Sequence, residues 1–180
     1  MRVLVTGGAG FIGSHVVEKL MEHGNDVFIF DLYAASDRSL PSGAVFIPGS
    51  ILDQESLRVA MNGMDAVYHL AAIADVKDVF EDPCYSEAIN VRGTINVLEA
   101  ARRSKVGRVI YGSTTWVYSE SDGDEVDEDT PLRAPDHLYT ATKLTSEYYC
   151  KSYDKLYGLS TTILRYGIPY GPRARDAAVI

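Results

Sequence analysis

The first thirteen residues constrain the fold most, because they place a strand, a glycine turn and a helix in one order. Arg2–Thr6 is a short apolar run typical of a buried strand, and a helical pattern runs from about Phe11 to Met21. The turn between them includes Gly7 and Gly10, and Gly13 follows one turn into the helix. Glycine allows the tight turn, and the helix start offers backbone N–H groups to an anion. This order predicts a dinucleotide-phosphate site.

A second apolar run, Asp26–Phe30, ends in Asp31, eighteen residues after Gly13. An acid at this point can accept hydrogen bonds from both hydroxyls of an adenosine ribose, and it repels a 2′-phosphate. We therefore expect NAD rather than NADP as cofactor. Arg38 lies downstream and could soften that preference. A plain strand, turn and helix without a ligand is the alternative interpretation.

Composition limits the classes of function. The 180 residues fit one domain, 1–180, and the chain has no apolar run long enough to span a membrane. The N-terminus reads as a strand rather than a signal peptide, so we expect a cytoplasmic location without membrane contact. Of the 25 acids, seven lie in residues 119 to 130, a stretch expected to be a solvated loop. The absence of a basic stripe argues against nucleic acid, and Cys84 and Cys150 are expected to be reduced thiols without a metal.

Strands and helices alternate along the whole chain, which predicts a parallel sheet with helices on both faces. Together with the first two strands this gives six strands, the number of a Rossmann-like doubly wound α/β fold. The further strands are predicted at 44–47, 66–70, 108–111 and 161–165, and the further helices from Asp53 to about Met61, at 85–103 and at 139–157.

Tyr139 and Lys143 are four residues apart and so share one face of the last predicted helix. A nearby ammonium is expected to lower the pKa of the tyrosine, which makes the pair a plausible general acid and base. Thr114 lies at the end of the fifth strand, where the ligand crevice of a parallel sheet opens. The alternatives are a tyrosine and lysine on an exposed surface, and a threonine that only satisfies turn backbone groups.

The assembled pattern resembles the extended short-chain dehydrogenase/reductase family, in particular its NAD-dependent sugar-nucleotide epimerase and dehydratase branch. The resemblance covers nearly the whole chain and is carried by motifs in family order. These are residues 6–13, Asp31, 49–53, 69–72, 90–101, 113–118, Tyr139 with Lys143, 164–166 and 170–173.

The resemblance implies a role for each matching residue. Lys143 holds the nicotinamide ribose and tunes Tyr139, which takes a proton from a sugar hydroxyl that Thr114 also binds. Tyr139 and Lys143 are thus catalytic and also contact NAD. The remaining cofactor contacts are expected from Gly7, Gly10, Phe11, Ile12, Gly13, Asp31, Leu52, Asp53, Leu70, Ala71, Ala72 and Tyr166.

The resemblance also implies partners and a division of the chain. The substrate is a nucleotide-sugar, and a homodimer forms through the helices 85–103 and 139–157. Residues 1–75 form the cofactor half and residues 76–180 the catalytic half, whereas the C-terminal substrate domain of the family is absent.

Some positions depart from the family pattern. Thr115 and Trp116 stand where dehydratases have two acids, which disfavours dehydration. Ile168 stands where an asparagine usually binds the substrate diphosphate, and Ser50 replaces a common aspartate. The favoured function is an NAD-dependent sugar-nucleotide epimerase, or its cofactor domain. The alternatives are a related dehydratase or reductase and a non-catalytic NAD-binding protein.

Overall fold

Short runs of β-branched and aromatic residues build one parallel sheet in the computed structural model, which describes residues 1–33, 41–122 and 125–174. The strands are β1 (Arg2–Thr6), β2 (Asp26–Asp31), β3 (Val45–Pro48), β4 (Ala66–His69), β5 (Arg108–Thr114) and β6 (Thr161–Tyr166). Their order is β3-β2-β1-β4-β5-β6, and every adjacent pair is parallel. The strand order reverses between β1 and β4, because β2 and β3 follow on one side and β5 and β6 on the other. A crevice therefore opens at the carboxyl ends of β1 and β4. The predicted doubly wound α/β fold is confirmed.

Helices connect these strands. They are α1 (Phe11–Glu22), α2 (Gln54–Ala60), α3 (Val76–Glu81), α4 (Pro83–Glu87), α5 (Gly93–Arg103) and α6 (Leu138–Tyr157), with a π-helical turn at Ala88–Arg92 and a 3₁₀ turn at Thr115–Tyr118. Asp53 caps α2 as predicted, since its carboxylate accepts from the backbone N–H groups of Glu55 and Ser56. Helix α6 ends at Gly158, whose positive φ of 68° suits a left-handed cap.

The two faces of the sheet are covered unequally. On one face, buried residues of α2, α5 and α6 such as Leu57, Val97 and Cys150 join the larger apolar core. On the other face, Val17 of α1 packs on β1 and β2 in a smaller cluster. Helices thus lie on both faces, as predicted, but α1 alone covers its side among the described residues.

The structure departs from the predicted elements at three places. Helix α3 was not predicted, although Asp75 caps it. The helix predicted at 85–103 begins at Pro83 and contains the π-helical turn. Strand β5 is longer than the predicted run 108–111 and extends to Thr114, which lies at its carboxyl end as expected.

The remaining predictions concern the surface. Both cysteines are free, with Cys84 exposed and Cys150 buried. The described residues of the acidic stretch are mostly exposed, as expected of a solvated loop, and Arg133 contacts Asp122. Within the described residues, no helix is both long and apolar enough to cross a bilayer.

Candidate active site

The glycine turn after β1 lets two stretches of backbone approach each other closely. Gly7 has φ +73°, and a Cβ there would lie 2.6 Å from the backbone nitrogen of Ala71. A Cβ on Gly13 would lie 2.1 Å from the carbonyl oxygen of Gly7. Neither space admits a side chain, because the neighbouring atoms are backbone. Gly10 caps the twelve-residue helix α1 without a side-chain hydrogen bond, and the only side chain in the turn before it is the methyl group of Ala9.

Asp31 ends β2 beside this turn. Its Oδ2 accepts from the Ala9 N–H at 3.1 Å, and its Oδ1 accepts from the Leu32 N–H at 2.8 Å. Burial raises the pKa of Asp31, while the two N–H groups act in the opposite direction. Each carboxylate oxygen keeps a free lone pair, which a hydroxyl can use. Arg38, expected to modify this site, lies outside the described residues.

A groove of about 360 Å³ joins these features. Its walls include Gly7, Gly10, Asp31 and, from the segment after β4, Leu70, Ala71 and Ala72. The structure therefore brings together these six predicted cofactor residues, and Gly13 supports the turn from behind. The glycine-rich turn and the carboxylate beside it fit a dinucleotide, whose pyrophosphate needs close backbone and whose ribose needs an acceptor.

Leu52 and Asp53, for which the family resemblance implies contacts with the adenine of the cofactor, lie elsewhere. Leu52 packs against the larger core, and the Asp53 carboxylate is occupied by the cap of α2 and by the Ser56 hydroxyl at 2.6 Å. The groove wall at this point is formed by Gly49, Ser50 and Ile51. Contacts of Leu52 and Asp53 with adenine stay a prediction.

Phe11, Ile12 and Tyr166 line a second, more apolar groove of about 540 Å³ on the side of α1. His15 in α1 bounds it, and its Nε2 lies 2.9 Å from the Pro172 carbonyl. Tyr166 is also the register partner of Thr114, which places it at the carboxyl edge of the sheet.

The predicted catalytic residues lie on β5 and on α6, which packs against it. Thr114 ends β5, and its Oγ1 accepts from the Trp116 N–H at 3.2 Å, which satisfies the turn. Its own hydroxyl proton remains available for a ligand. Tyr139 and Lys143 lie on α6, with the Lys143 Nζ 5.9 Å from the centroid of the Tyr139 ring.

Lys143 is buried, and its Nζ donates to the Gly112 carbonyl at 2.8 Å. Burial lowers the pKa of Lys143 to about 8, against smaller opposing effects of Cys150 and Glu147. Burial also raises the pKa of Tyr139. Desolvation of the phenol is the cause of this rise, and the lowering of the tyrosine pKa expected from Lys143 stays a prediction.

Asn90, to which the sequence analysis gave no role, lies in the π-helical turn and forms hydrogen bonds with two other segments of the chain. Its Oδ1 accepts from the Ile73 N–H at 2.8 Å, and its Nδ2 donates to the Ile73 carbonyl and the Thr142 hydroxyl, each at 3.0 Å. Its carbonyl accepts from Thr94 and Ser146. A buried amide inside an apolar helical pattern was the signal that could have revealed it.

His69, at the end of β4, links β1 to α5. Its Nδ1 lies 2.7 Å from Thr6 Oγ1, and its Nε2 lies 3.0 Å from Thr94 Oγ1. Complete burial lowers the pKa of His69 to about 3, helped by the charge of Lys143, so the ring is neutral. Because Thr94 donates to Asn90, it accepts from the imidazole N–H, which fixes the tautomer.

A buried ion pair lies one helical turn beyond Lys143. The Glu147 carboxylate accepts from Arg165 at 3.0 and 2.7 Å and from the Ser113 hydroxyl at 2.6 Å. The pair joins α6 to the ends of β5 and β6, and Arg165 also contacts the Tyr118 hydroxyl. This network fixes the strand ends on which Thr114 and Tyr166 lie. Among the described residues, no three His, Cys, Asp or Glu side chains are grouped to hold a metal.

Comparison with known proteins agrees with this geometry. Residues 3–180 match the family described as NAD dependent epimerase/dehydratase family. The chain is 40% identical over 189 residues to a UDP-N-acetyl-alpha-D-glucosaminuronate decarboxylase of Bacillus cytotoxicus, covering 97% of this chain and 56% of that protein. It is 36% identical over 167 residues to a UDP-glucose 4-epimerase of Corynebacterium glutamicum, covering 92% of this chain and 50% of that protein.

A solved structure is similar over the same length. The UDP-glucose 4-epimerase of Thermus thermophilus, in complex with NAD, superimposes with a TM-score of 0.91 at 39% identity, covering 99% of this chain and 60% of that one. The chain thus spans between half and three fifths of the length of these three proteins. With a glycine cradle, an acidic strand end and a family match over nearly every residue, this chain belongs to the NAD-dependent epimerase/dehydratase family.

Proposed function

We propose that this chain carries the NAD site and the reacting residues of a nucleotide-sugar epimerase. The observation that supports this most is that Thr114 ends β5 and Lys143 of α6 donates to the Gly112 carbonyl of the same strand, at the carboxyl edge that also carries the glycine turn and Asp31. Thr115 and Trp116 provide no acid next to Thr114, so nothing there can protonate and expel a sugar hydroxyl. This favours epimerisation over dehydration.

In the proposed reaction, the chain's residues handle the substrate proton. NAD, when bound, accepts a hydride from a sugar carbon and returns it. Tyr139, in its ionised form, takes the proton of the hydroxyl on that carbon, and the Thr114 hydroxyl orients the same oxygen. The product of this step is a keto sugar. Return of the hydride to the other face of the carbonyl carbon, and of the proton from Tyr139 to its oxygen, gives the epimer.

Lys143 stabilises the ionised Tyr139 in this proposal. One of its three N–H donors is used by the Gly112 carbonyl, which leaves two for a ribose hydroxyl and the phenolate. The pKa of about 8 keeps most of the ammonium protonated near neutral pH. Asp31 and the first turn of α1 would bind the adenosine ribose and the pyrophosphate.

We further propose the two halves, 1–75 and 76–180, as cofactor and catalytic parts. The first contains the glycine turn and Asp31, and the second contains Thr114, Tyr139 and Lys143. A homodimer through α5 and α6 is supported by their mutual packing and by exposed Tyr148, Leu156 and Tyr157 on α6. A cytoplasmic location also stays a prediction.

Proton NMR of the chain with NAD and a panel of UDP-, dTDP- and GDP-sugars tests the function. We expect a new anomeric signal that matches an epimer of one of them. The variant Tyr139→Phe keeps the ring but removes the phenolic proton acceptor, so turnover should fall at least about 100-fold. NAD binding, measured by calorimetry, should persist in the variant. Equal turnover in both proteins, or no epimer from any sugar, would contradict the proposal.

A further inference from the structure

An aromatic pair joins the two elements that carry Thr114 and Tyr139. Trp116 lies in the 3₁₀ turn two residues after Thr114, and His137 lies two residues before Tyr139. The two ring centroids are 5.8 Å apart with an interplanar angle of 82°, an edge-to-face contact. The pair therefore connects the proposed hydroxyl donor to the proposed base across the site.

Local hydrogen bonds fix the backbone of both aromatic residues. The Trp116 N–H donates to the Thr114 hydroxyl at 3.2 Å, and the Tyr139 N–H donates to the His137 Nδ1 at 3.3 Å. Any ligand oxygen held by Thr114 and Tyr139 must consequently lie close to this pair. A substrate sugar positioned for reaction then has a ring within reach of the indole.

The indole has free surface for such a contact, because Trp116 is 43% exposed. A single exposed aromatic residue ordinarily needs no functional explanation. Here, however, the indole is braced by a second ring at the reacting edge, and an edge-to-face pair leaves at least one face of each ring open. The C–H groups of a pyranose carry partial positive charge and pack well on the negative face of an aromatic ring, while its hydroxyls point outwards.

A carboxylate on the sugar ring is disfavoured at this face. After the 3₁₀ turn, the Ser119 N–H donates to the Trp116 carbonyl at 3.1 Å and the Ser121 N–H donates to the Tyr118 carbonyl at 2.9 Å, so the backbone of Glu120 stays next to the turn that carries Trp116. A sugar carboxylate packed on the apolar indole would lose hydration, and the charge of Glu120 would repel it.

Resting on the proposed function, we propose that Trp116, braced by His137, is a platform for the substrate sugar and selects a neutral pyranose over a hexuronic acid. The platform acts on sugar binding, whereas Thr114 and Tyr139 act on the bond that reacts. Its loss should therefore raise KM with little change in kcat.

Trp116 is the only tryptophan of the chain, so its fluorescence reports on this position alone. With the 180-residue chain saturated with NAD, we expect UDP-glucose to change the emission, and UDP without a sugar to change it much less. UDP-glucuronic acid should need about tenfold higher concentration for the same change. A response to UDP equal to that for UDP-glucose would overturn the platform, as would equal affinity for the neutral and acidic sugars.

Three variants test whether the aromatic rings themselves contribute to substrate binding. Trp116→Ala should raise KM for UDP-glucose about tenfold, and Trp116→Phe, which keeps an aromatic face, should raise it less. His137→Asn keeps a side chain able to cap α6 but removes the bracing ring, so it should raise KM modestly. An unchanged KM in Trp116→Ala would overturn the platform.

NAD binding and epimer formation distinguish the two proposals. If the epimer still forms and KM is unchanged in Trp116→Ala, the platform fails while the proposed function stands. If the wild-type chain binds no NAD or forms no epimer from any sugar of the panel, the proposed function fails and the platform fails with it. NAD affinity equal to wild type in all three variants shows that they are folded.

Discussion

Lys143 shows how one residue can be costly for the fold and useful for the site. Its ammonium is buried, and the carbonyl of Gly112 is its one hydrogen-bond partner within the described residues. Burial disfavours the charged form, which is why the pKa falls to about 8 from an ordinary value of 10.5. Its other two N–H donors have no hydrogen-bond acceptor within the described residues, which leaves them for the hydroxyls of a ligand.

The pH dependence of stability should reveal this cost. Between about pH 8 and about pH 10.5, unfolded Lys143 holds a proton that the folded residue has lost. The unfolded state then binds more protons, so this residue's contribution to the free energy of unfolding rises with pH, and below about pH 8 its penalty is complete. Lys143→Met should remove the penalty and stabilise the fold near pH 7 by up to roughly 3 kcal/mol.

Denaturant unfolding at a series of pH values measures this difference. Lys151→Met is the matched control, because Lys151 lies on the same helix but is exposed. We expect the advantage of Lys143→Met to shrink towards about pH 10.5, the ordinary pKa, and Lys151→Met to track the wild type throughout. A constant difference between Lys143→Met and wild type across that range would contradict the buried charge.

At the scale of elements, the glycine turn could be predicted from sequence alone. The glycine spacing indicates its conformation, and the strand before it and the helix after it indicate a dinucleotide as its ligand. The strand positions and the cap at Asp53 also follow from local pattern. The π-helical turn at Ala88–Arg92 does not, because it depends on hydrogen bonds from Asn90 to Ile73 and Thr142, in other elements. The rise in the pKa of Tyr139 on burial could not be predicted for the same reason: burial is a tertiary property, while the i, i+4 spacing is local.

Gly13 provides the prediction at this scale. A methyl group at Gly13 would press on the carbonyl of Gly7, so Gly13→Ala should push α1 away from the turn and spoil the phosphate cradle. We expect NAD affinity to fall by about tenfold or more and the fold to lose roughly 1–3 kcal/mol. Calorimetric titration with NAD and thermal unfolding measure the two effects.

Gly167→Ala is the control for this substitution. Nothing lies within 4 Å of a Cβ at Gly167, and its φ is not positive, so both NAD affinity and stability should stay near wild type. NAD affinity in Gly13→Ala equal to that in Gly167→Ala would mean that the turn can relax, and the close approach would then not explain the glycine.

In the whole molecule, the strands of the sheet differ in burial, and we expect the free energy of local opening to differ with them. The core strands β1, β4 and β5 are mostly buried, while every residue of the edge strand β6 is partly exposed. The sequence predicted the number and direction of the strands, yet it could not show that α1 alone covers one face within the described residues. The face that each helix covers depends on the strand order and on the handedness of each crossover connection, and the strand order is known only from the folded structure.

Hydrogen exchange of backbone amides should reveal this difference between strands. Amides of β1 and β4 have partners on both sides and little access to water, so they should exchange through global unfolding, whereas those of β6 should exchange faster through local opening. Added NAD stabilises the folded state by mass action, by about 2.7 kcal/mol at one hundred times its Kd. It should therefore slow exchange in β1 and β4 by the full factor that this free energy implies, and slow it least in β6. Uniform slowing in all six strands would show instead that the sheet opens as one unit and that the exposed edge is not a separate region of low stability.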